Sequence, residues 1–334
     1  MKGVSVVLML LVALGCGPDA GMIDPLTRGD GTAPSLASRR FSEWSEPVNL
    51  GPVVNSSVTD FTPEISQDGL HLYFASSRPR PPEFPVGTFN DLWVSRRACT
   101  DMDNLECAWG TPVNLGVTVN SSTNDAAPHL SRDGHLLFFN STRPGGFGSA
   151  DLYVLRRPCT GADNSCCAWE APVNLGSTVN TFEFEGGPSV WGAELYFNRG
   201  NTPGATVPGS LVGPADIYIS QIEGDVFRTP NRVNELSSPG VDQRPKIRVD
   251  GREIFLSSDR AGGVGGHDIW VSTRQRKGEV WAAPANLGAP LNTEFEISIL
   301  RSPPTAPRFS SPPGGRLRAK LVACLRTFAT WTST

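Results

Sequence analysis

Apolar and polar positions alternate along most of this chain in short runs, cut apart by Gly, Pro, Asp and Asn. Alternation with a period of two reads as β-strand, and no tract sustains a helical period. One set of strands falls at Leu72 to Ala75, Leu136 to Asn140, Leu195 to Asn198 and Ile254 to Ser257. A second falls at Leu92 to Ser95, Leu152 to Leu155, Ile217 to Ser220 and Ile269 to Ser272. The hairpin signals Asp68-Gly69, Asp133-Gly134 and Asp250-Gly251 precede members of the first set. They imply an earlier strand in each unit, expected to follow Pro63, Pro128, Pro188 and Pro245. A last strand starts at an aromatic residue and runs through Pro-Val-Asn-Leu-Gly or a variant of it. Those aromatics are Trp44, Trp109, Trp169, Phe227 and Trp281, spaced 65, 60, 58 and 54 residues apart.

Four antiparallel strands recurring about every 60 residues are the pattern of propeller blades. The fold expected is all-β, a β-propeller of four-stranded blades. It is expected to be five-bladed, with the last blade incomplete. The blades fall at 61–116, 126–176, 186–236 and 243–288, with a fifth beginning near 296. Trp44 to Gly51 has no strands before it and is expected to close the ring as the outer strand of that fifth blade.

The repeated residues carry a family resemblance. Ser66-Gln67-Asp68-Gly69, Leu72-Tyr73-Phe74, Ser77-Arg78 and Asp91-Leu92-Trp93-Val94 resemble the WD40-like (PD40) repeat of TolB-type bacterial envelope propellers. The pattern recurs with Ser131-Arg132-Asp133-Gly134, Arg143-Pro144-Gly145-Gly146 and Asp151-Leu152-Tyr153-Val154. It recurs again with Asp250-Gly251, Arg260-Ala261-Gly262-Gly263 and Asp268-Ile269-Trp270-Val271. The third unit has Trp191-Gly192-Ala193 in place of the Asp-Gly turn but keeps Arg199 and Asp216. The resemblance covers residues 41–300 and implies the propeller fold; it names no activity.

The ends of the chain differ from the repeats. Lys2, the apolar run Val4 to Leu14 and Leu14-Gly15-Cys16 read as a signal peptide over 1–15. The site before Cys16 resembles a bacterial lipobox, which implies lipidation of Cys16; plain secretion is the other reading. Residues 16–40, polar and rich in Gly, Pro and Asp, suit a flexible linker. Residues 301–334 depart from the repeat. Read from the third base of each codon, Ser302 to Pro307 is compatible with Ser-Ala-Asp-Gly-Thr, so this aberrant tail reads either as a frameshifted fifth blade or as a divergent end. The expected location is the cell envelope, lipid-anchored at the outer membrane and facing the periplasm or cell surface.

Composition narrows the function classes. Gly (35) and Pro (29) supply the turns, and a net charge of −4 gives no basic field for nucleic acid. There is no Gly-x-Ser-x-Gly elbow and no His-x-x-x-His pair, so no catalytic residue is assigned. The acidic residues Asp60, Asp125, Glu185 and Asp242 each stand three before a channel proline. They are candidates for a ring that binds a cation such as Ca2+ or a polar ligand, or for caps on turns within their own blades. Arg78, Arg143, Arg199 and Arg260 recur in step with Asp91, Asp151, Asp216 and Asp268. These are expected to pair as scaffold, tying the loop to the third strand. Cys99 with Cys107, and Cys159 with Cys167, stand eight apart in equivalent loops and suit two hairpin-closing disulfides in an oxidising compartment. The function expected is a non-catalytic binding module for an envelope protein, peptide or glycan. The alternative is a carbohydrate-active hydrolase with carboxylates in the channel.

Overall fold

The computed structural model describes residues 9–10, 47–84, 87, 89–101, 104–158, 168–200 and 214–294. These residues form an all-β, four-blade propeller arrangement. In chain order, β1 (Met9–Leu10) and β2 (Val48–Asn49) form a small two-stranded ladder. The first blade is β3 (Asp60–Ile65), β4 (His71–Ser76), β5 (Asp91–Arg96) and β6 (Val113–Asn114). The second is β7 (Asp125–Leu130), β8 (Leu136–Ser141), β9 (Asp151–Arg156) and β10 (Val173–Asn174). The third is β11 (Phe184–Trp191), β12 (Glu194–Gly200) and β13 (Ala215–Glu223), with both β14 (Val226–Phe227) and β15 (Asn231–Arg232) on the outer side of β13. The fourth is β16 (Asp242–Ile247), β17 (Glu253–Ser258), β18 (Asp268–Thr273) and β19 (Ala285–Asn286).

The alternation within each strand explains why the sheets stack. Leu72 and Phe74 face one way, packing with Val54 and Trp93. Tyr73 and Ala75 face the other way and meet Leu137, Phe139 and Val119 of the second blade. The second blade turns Phe138, Leu152 and Val154 toward Leu195 and Phe197 of the third. The third turns Tyr196 and Ile217 toward Ile254, Leu256 and Trp270 of the fourth. The second and third blades thus bury both faces against neighbouring blades. Fully buried side chains such as Phe74, Phe139 and Phe197 each contribute about 1.5–3 kcal/mol of apolar burial.

Two details differ from the sequence reading. The first strand of each blade contains its proline instead of following it. The ladder slips at Phe61/Glu64, Ala126/His129, Gly186/Ser189 and Gln243/Lys246, so each proline sits in a bulge where its missing N–H leaves no gap in the pairing. The N-terminal segment also departs from expectation. Val48–Asn49 pairs antiparallel with Met9–Leu10, not with a blade. A strand edge satisfies its N–H and C=O groups with whichever extended segment lies beside it. The expected fifth blade lies outside the described residues.

The turns follow from local chemistry. In the first blade Gly69 takes φ +72°, its N–H donates to the Ser66 carbonyl at 2.8 Å, and Leu70 N donates to Asp68 Oδ1 at 2.9 Å. Gly134 and Gly251 repeat the geometry at φ +74° and +68°. On the outer side, Cys99 and Cys107 form a disulfide across the loop between β5 and β6. Cys159 and Cys167 lie outside the described residues. Replacing Cys99 and Cys107 together by Ser is expected to lower the unfolding free energy by about 2 kcal/mol, since the closed loop is short. Equilibrium denaturation under non-reducing conditions checks this.

Candidate functional site

The acidic residues Asp60, Asp125, Glu185 and Asp242 are fully buried. Each binds the recurring arginine of its own blade. Arg78 Nη2 donates to Asp60 Oδ1 at 2.6 Å, Arg143 Nη2 to Asp125 Oδ1 at 2.8 Å and Arg199 Nε to Glu185 Oε1 at 2.9 Å; Arg260 pairs with Asp242. The strand register brings them together. Asp60 lies opposite Ser76 and Asp125 opposite Ser141, so an arginine two residues further on falls beside the carboxylate. The second carboxylate oxygen is also used: Ser56 donates to Asp60 through its N–H and hydroxyl at 2.6 and 2.7 Å, as Ser121 does to Asp125 at 2.6 and 2.9 Å. Glu185 accepts the Thr181 hydroxyl at 2.6 Å, and burial still pushes its carboxyl up.

The same arginines reach out of their blades. Arg78, Arg143, Arg199 and Arg260 donate to the carbonyls of Val54, Val119, Val179 and Leu236, at 2.9, 2.9, 2.6 and 2.7 Å. Those residues lie in the segments entering each blade. The guanidinium of Arg143 also stacks near Phe139 and Tyr153, at 5.1 and 4.8 Å from their centroids.

The third-strand aspartates have other partners, so the expected arginine pairing is corrected. Asp91 accepts from Arg80 at 2.6 Å and from Asn114 at 2.9 Å. Asp151 accepts from Asn174 and from Phe147 N, both at 2.7 Å, and Asp268 accepts from Asn286 at 2.8 Å and from Val264 N. Asp216 pairs with Arg232 at 2.7 Å, where the other blades have an Asn. Gly146 and Gly263 let the loop wrap this carboxylate, since a β-carbon at either would stand 2.6 Å from an aspartate oxygen. Cys16 lies outside the described residues. Among the described residues no group of three or more His, Cys, Asp or Glu is placed to hold a metal ion.

The positions that flank the inner prolines are ones the repeat does not keep constant. The residues before the four prolines are Thr62, Ala127, Gly187 and Arg244, all left-handed, with φ of +50°, +52°, +58° and +54°. The residues after the prolines are Glu64, His129, Ser189 and Lys246. Glu64 joins three blades: its Oε1 lies 2.8 Å from His129 Nδ1 and its Oε2 accepts from Lys246 Nζ at 2.8 Å. Val190 N donates to His129 Nε2 at 2.8 Å. Burial would raise the Glu64 carboxyl, but Lys246 and then His129 outweigh it and hold it at about 2.

Glu64, His129, Arg244 and Lys246 form part of the wall of a cavity of about 1120 Å³. Gln67, Arg132 and Gly192, in the turns between first and second strands, also line it, at the opposite end of the first strands from the buried carboxylates. Ile65, Leu130, Val190, Ile247 and Phe255 give it apolar walls. The sequence signal for this site was present as columns flanking each proline that change from blade to blade. A second missed set is scaffold: Arg97, Arg157 and Arg274 donate to the carbonyls of Gly69, Gly134 and Gly251, each at 2.7 Å. They stack on Trp109, Trp169 and Trp281 at 4.4, 4.5 and 4.4 Å.

No family model and no curated protein matches the chain. Solved structures with a similar fold include a putative TolB from Agrobacterium tumefaciens, with 16% identity and a TM-score of 0.40 over 68% of this chain and 62% of that one. An α-L-arabinofuranosidase from Lactobacillus brevis has 16% identity and a TM-score of 0.44 over 68% and 72%. An endo-arabinase from Bacteroides thetaiotaomicron has 15% identity and a TM-score of 0.45 over 70% and 82%. The likeness is one of fold.

Three outcomes are expected. Arg143→Met leaves Asp125 buried without its cation and is expected to cost about 3–5 kcal/mol of stability. Arg156→Ala breaks the exposed pair with Asp225 and is expected to cost under about 1 kcal/mol; urea denaturation compares the two. For Glu64, the unfolded chain binds the proton first as pH falls, because the folded state holds the group far below the ordinary 4.5. Its stabilisation, on the order of 3 kcal/mol, is complete above pH 4.5 and lost as pH drops toward 2. The stability gap between wild type and Glu64→Gln is therefore expected to close over that window, read by denaturant midpoints at stepped pH.

Proposed function

We propose that this chain is an extracytoplasmic binding module. An envelope protein, peptide or glycan would sit in the cavity at the turn end of the channel. The observation that carries this reading is the state of the carboxylates around that cavity. Glycoside hydrolysis needs a carboxylic acid held protonated near neutral pH, beside a second carboxylate. Glu64 is held at about 2, and the Ser131 hydroxyl and His135 N–H, despite burial, hold Asp133 low. Asp225 is paired with Arg156 at 2.6 Å. The carboxyls that burial raises, Asp91 and Glu185, lie away from the cavity and are closed in by their partners. The site is therefore furnished to hold a ligand and poorly furnished to donate a proton to one.

The proposed location is the cell envelope, with the chain anchored through a lipid on Cys16 and its blades in an oxidising compartment. The apolar run before Cys16 supports the first part, and the Cys99–Cys107 disulfide supports the second.

Capture from solubilised envelope extract tests the binding reading. Wild-type chain is expected to retain a ligand that Arg132→Trp, a substitution at an exposed rim position, fails to retain while keeping the same melting temperature. A panel of glycan substrates is expected to show no turnover. Hydrolysis abolished by Glu64→Gln, or by Asn at Asp60, Asp125 or Asp242 alone, would overturn the binding reading in favour of a hydrolase.

A further inference from the structure

Three of the four residues before the channel prolines are small and uncharged; the fourth is Arg244. Its backbone is pinned to the third blade. Arg244 N donates to Asn198 Oδ1 at 3.1 Å, and its α-carbon is so close to Gly187 that a β-carbon there would stand 2.8 Å away. Its side chain lines the cavity. Among the described residues no carboxylate pairs with its guanidinium, and Nη1 is closed off from solvent without a hydrogen-bond partner. The acids of the cavity wall are engaged elsewhere: Glu64 lies 2.8 Å from both Lys246 Nζ and His129 Nδ1, Asp225 pairs with Arg156 at 2.6 Å, and Asp133 accepts the Ser131 hydroxyl at 2.6 Å. Burial alone pulls the Arg244 guanidinium down to about 10.

An unpaired cation with one guanidinium nitrogen shielded from water is unfavourable wherever it serves only the fold. Here the fold does not need one, because Thr62, Ala127 and Gly187 occupy the same backbone position in the other blades. We propose that Arg244 anchors an oxyanion site in this cavity, taking a carboxylate or phosphate group of the ligand on its guanidinium. The guanidinium is suited to this because its planar fork matches two oxygens of either group. Lys246 stands next but one along the strand and adds positive field while it holds Glu64. The site deepens the binding reading above and rests on the cavity being where the ligand sits.

The test is calorimetric titration of the full chain with sodium succinate and, separately, sodium phosphate, in chloride buffer at constant ionic strength. Wild type is expected to bind at least one anion. Arg244→Gln is expected to weaken that binding at least tenfold, and Arg244→Lys to weaken it less. Succinate alone marks a carboxylate ligand; phosphate alone marks a phosphate ligand. Without anion, Arg244→Gln is expected to melt at or above the wild-type temperature, since it removes a half-buried unpaired charge. Binding of neither anion, equal binding by Arg244→Gln, or a lower melting temperature of that variant would overturn the proposal. If it fails while Arg132→Trp still abolishes envelope capture, the binding reading stands. Glycan turnover would remove that reading whatever the anions do.

Discussion

The structure depends on one buried contact made in each of four blades: a guanidinium at the end of the second strand held by a carboxylate at the start of the first. Sheets of four short strands have little ladder to hold them, and each must be fixed to its neighbours to survive. The Arg78–Asp60 contact and its equivalents do this economically. Each arginine bonds a carboxylate of its own blade and a carbonyl of the segment entering that blade, and its plane lies near aromatic rings of that blade, Phe74 and Trp93 for Arg78. A charge pair taken out of water is favourable only when the remaining lone pairs are also satisfied. The Ser56 and Ser121 donors meet that condition for Asp60 and Asp125. Asn120, Asn180 and Asn292 add the complementary tie on the outer side, bonding the backbone N–H and C=O of Leu92, Leu152 and Ile269.

Because these contacts repeat, they account for most of the repeated residues, and function is to be sought where repetition stops. Before the prolines the blades carry Thr62, Ala127, Gly187 and Arg244; after them, Glu64, His129, Ser189 and Lys246. The four before the prolines share one left-handed backbone geometry, and the eight differ in size and charge. Glu64 lies within ion-pair distance of His129 and Lys246, so the three link three blades. That cluster also joins the first and fourth blades at the axis.

The blades themselves were legible in the sequence because period-two alternation and the Asp-Gly turns are local signals. The partner of each arginine was not. Arg78 recurs in phase with both Asp60 and Asp91, so periodicity alone cannot choose between them. The antiparallel register chooses Asp60, since Ser76 faces it across the ladder. The inner prolines misled for a similar reason. A proline reads as a strand boundary, and only the bulge beside it shows that Pro63 interrupts one pair of ladder bonds and leaves the rest intact. The stacking of Arg97, Arg157 and Arg274 on Trp109, Trp169 and Trp281 crosses a loop that is shorter in the fourth blade than in the first two, so the contact is regular although its spacing is not kept in every blade.

Backbone strain is often taken as a pointer to function, since residues with positive φ cluster at active sites. Here that inference fails on its own. Thr62 and Ala127 are as left-handed as Arg244, with φ of +50° and +52° against +54°, yet Thr62 and Ala127 are buried and both take part in one hydrogen bond between the first and second blades. The strain belongs to the pre-proline bulge and is common to all four blades, so it is part of how an inner strand bends around the axis. What distinguishes the fourth blade is the side chain hung on that shared bend. A bulge re-aims whatever residue occupies it, and in three blades the occupant is too small to project. The chemistry of the channel is therefore set by residue identity at a backbone position fixed for reasons of closure, which is how a repeat can keep its fold while changing what it holds.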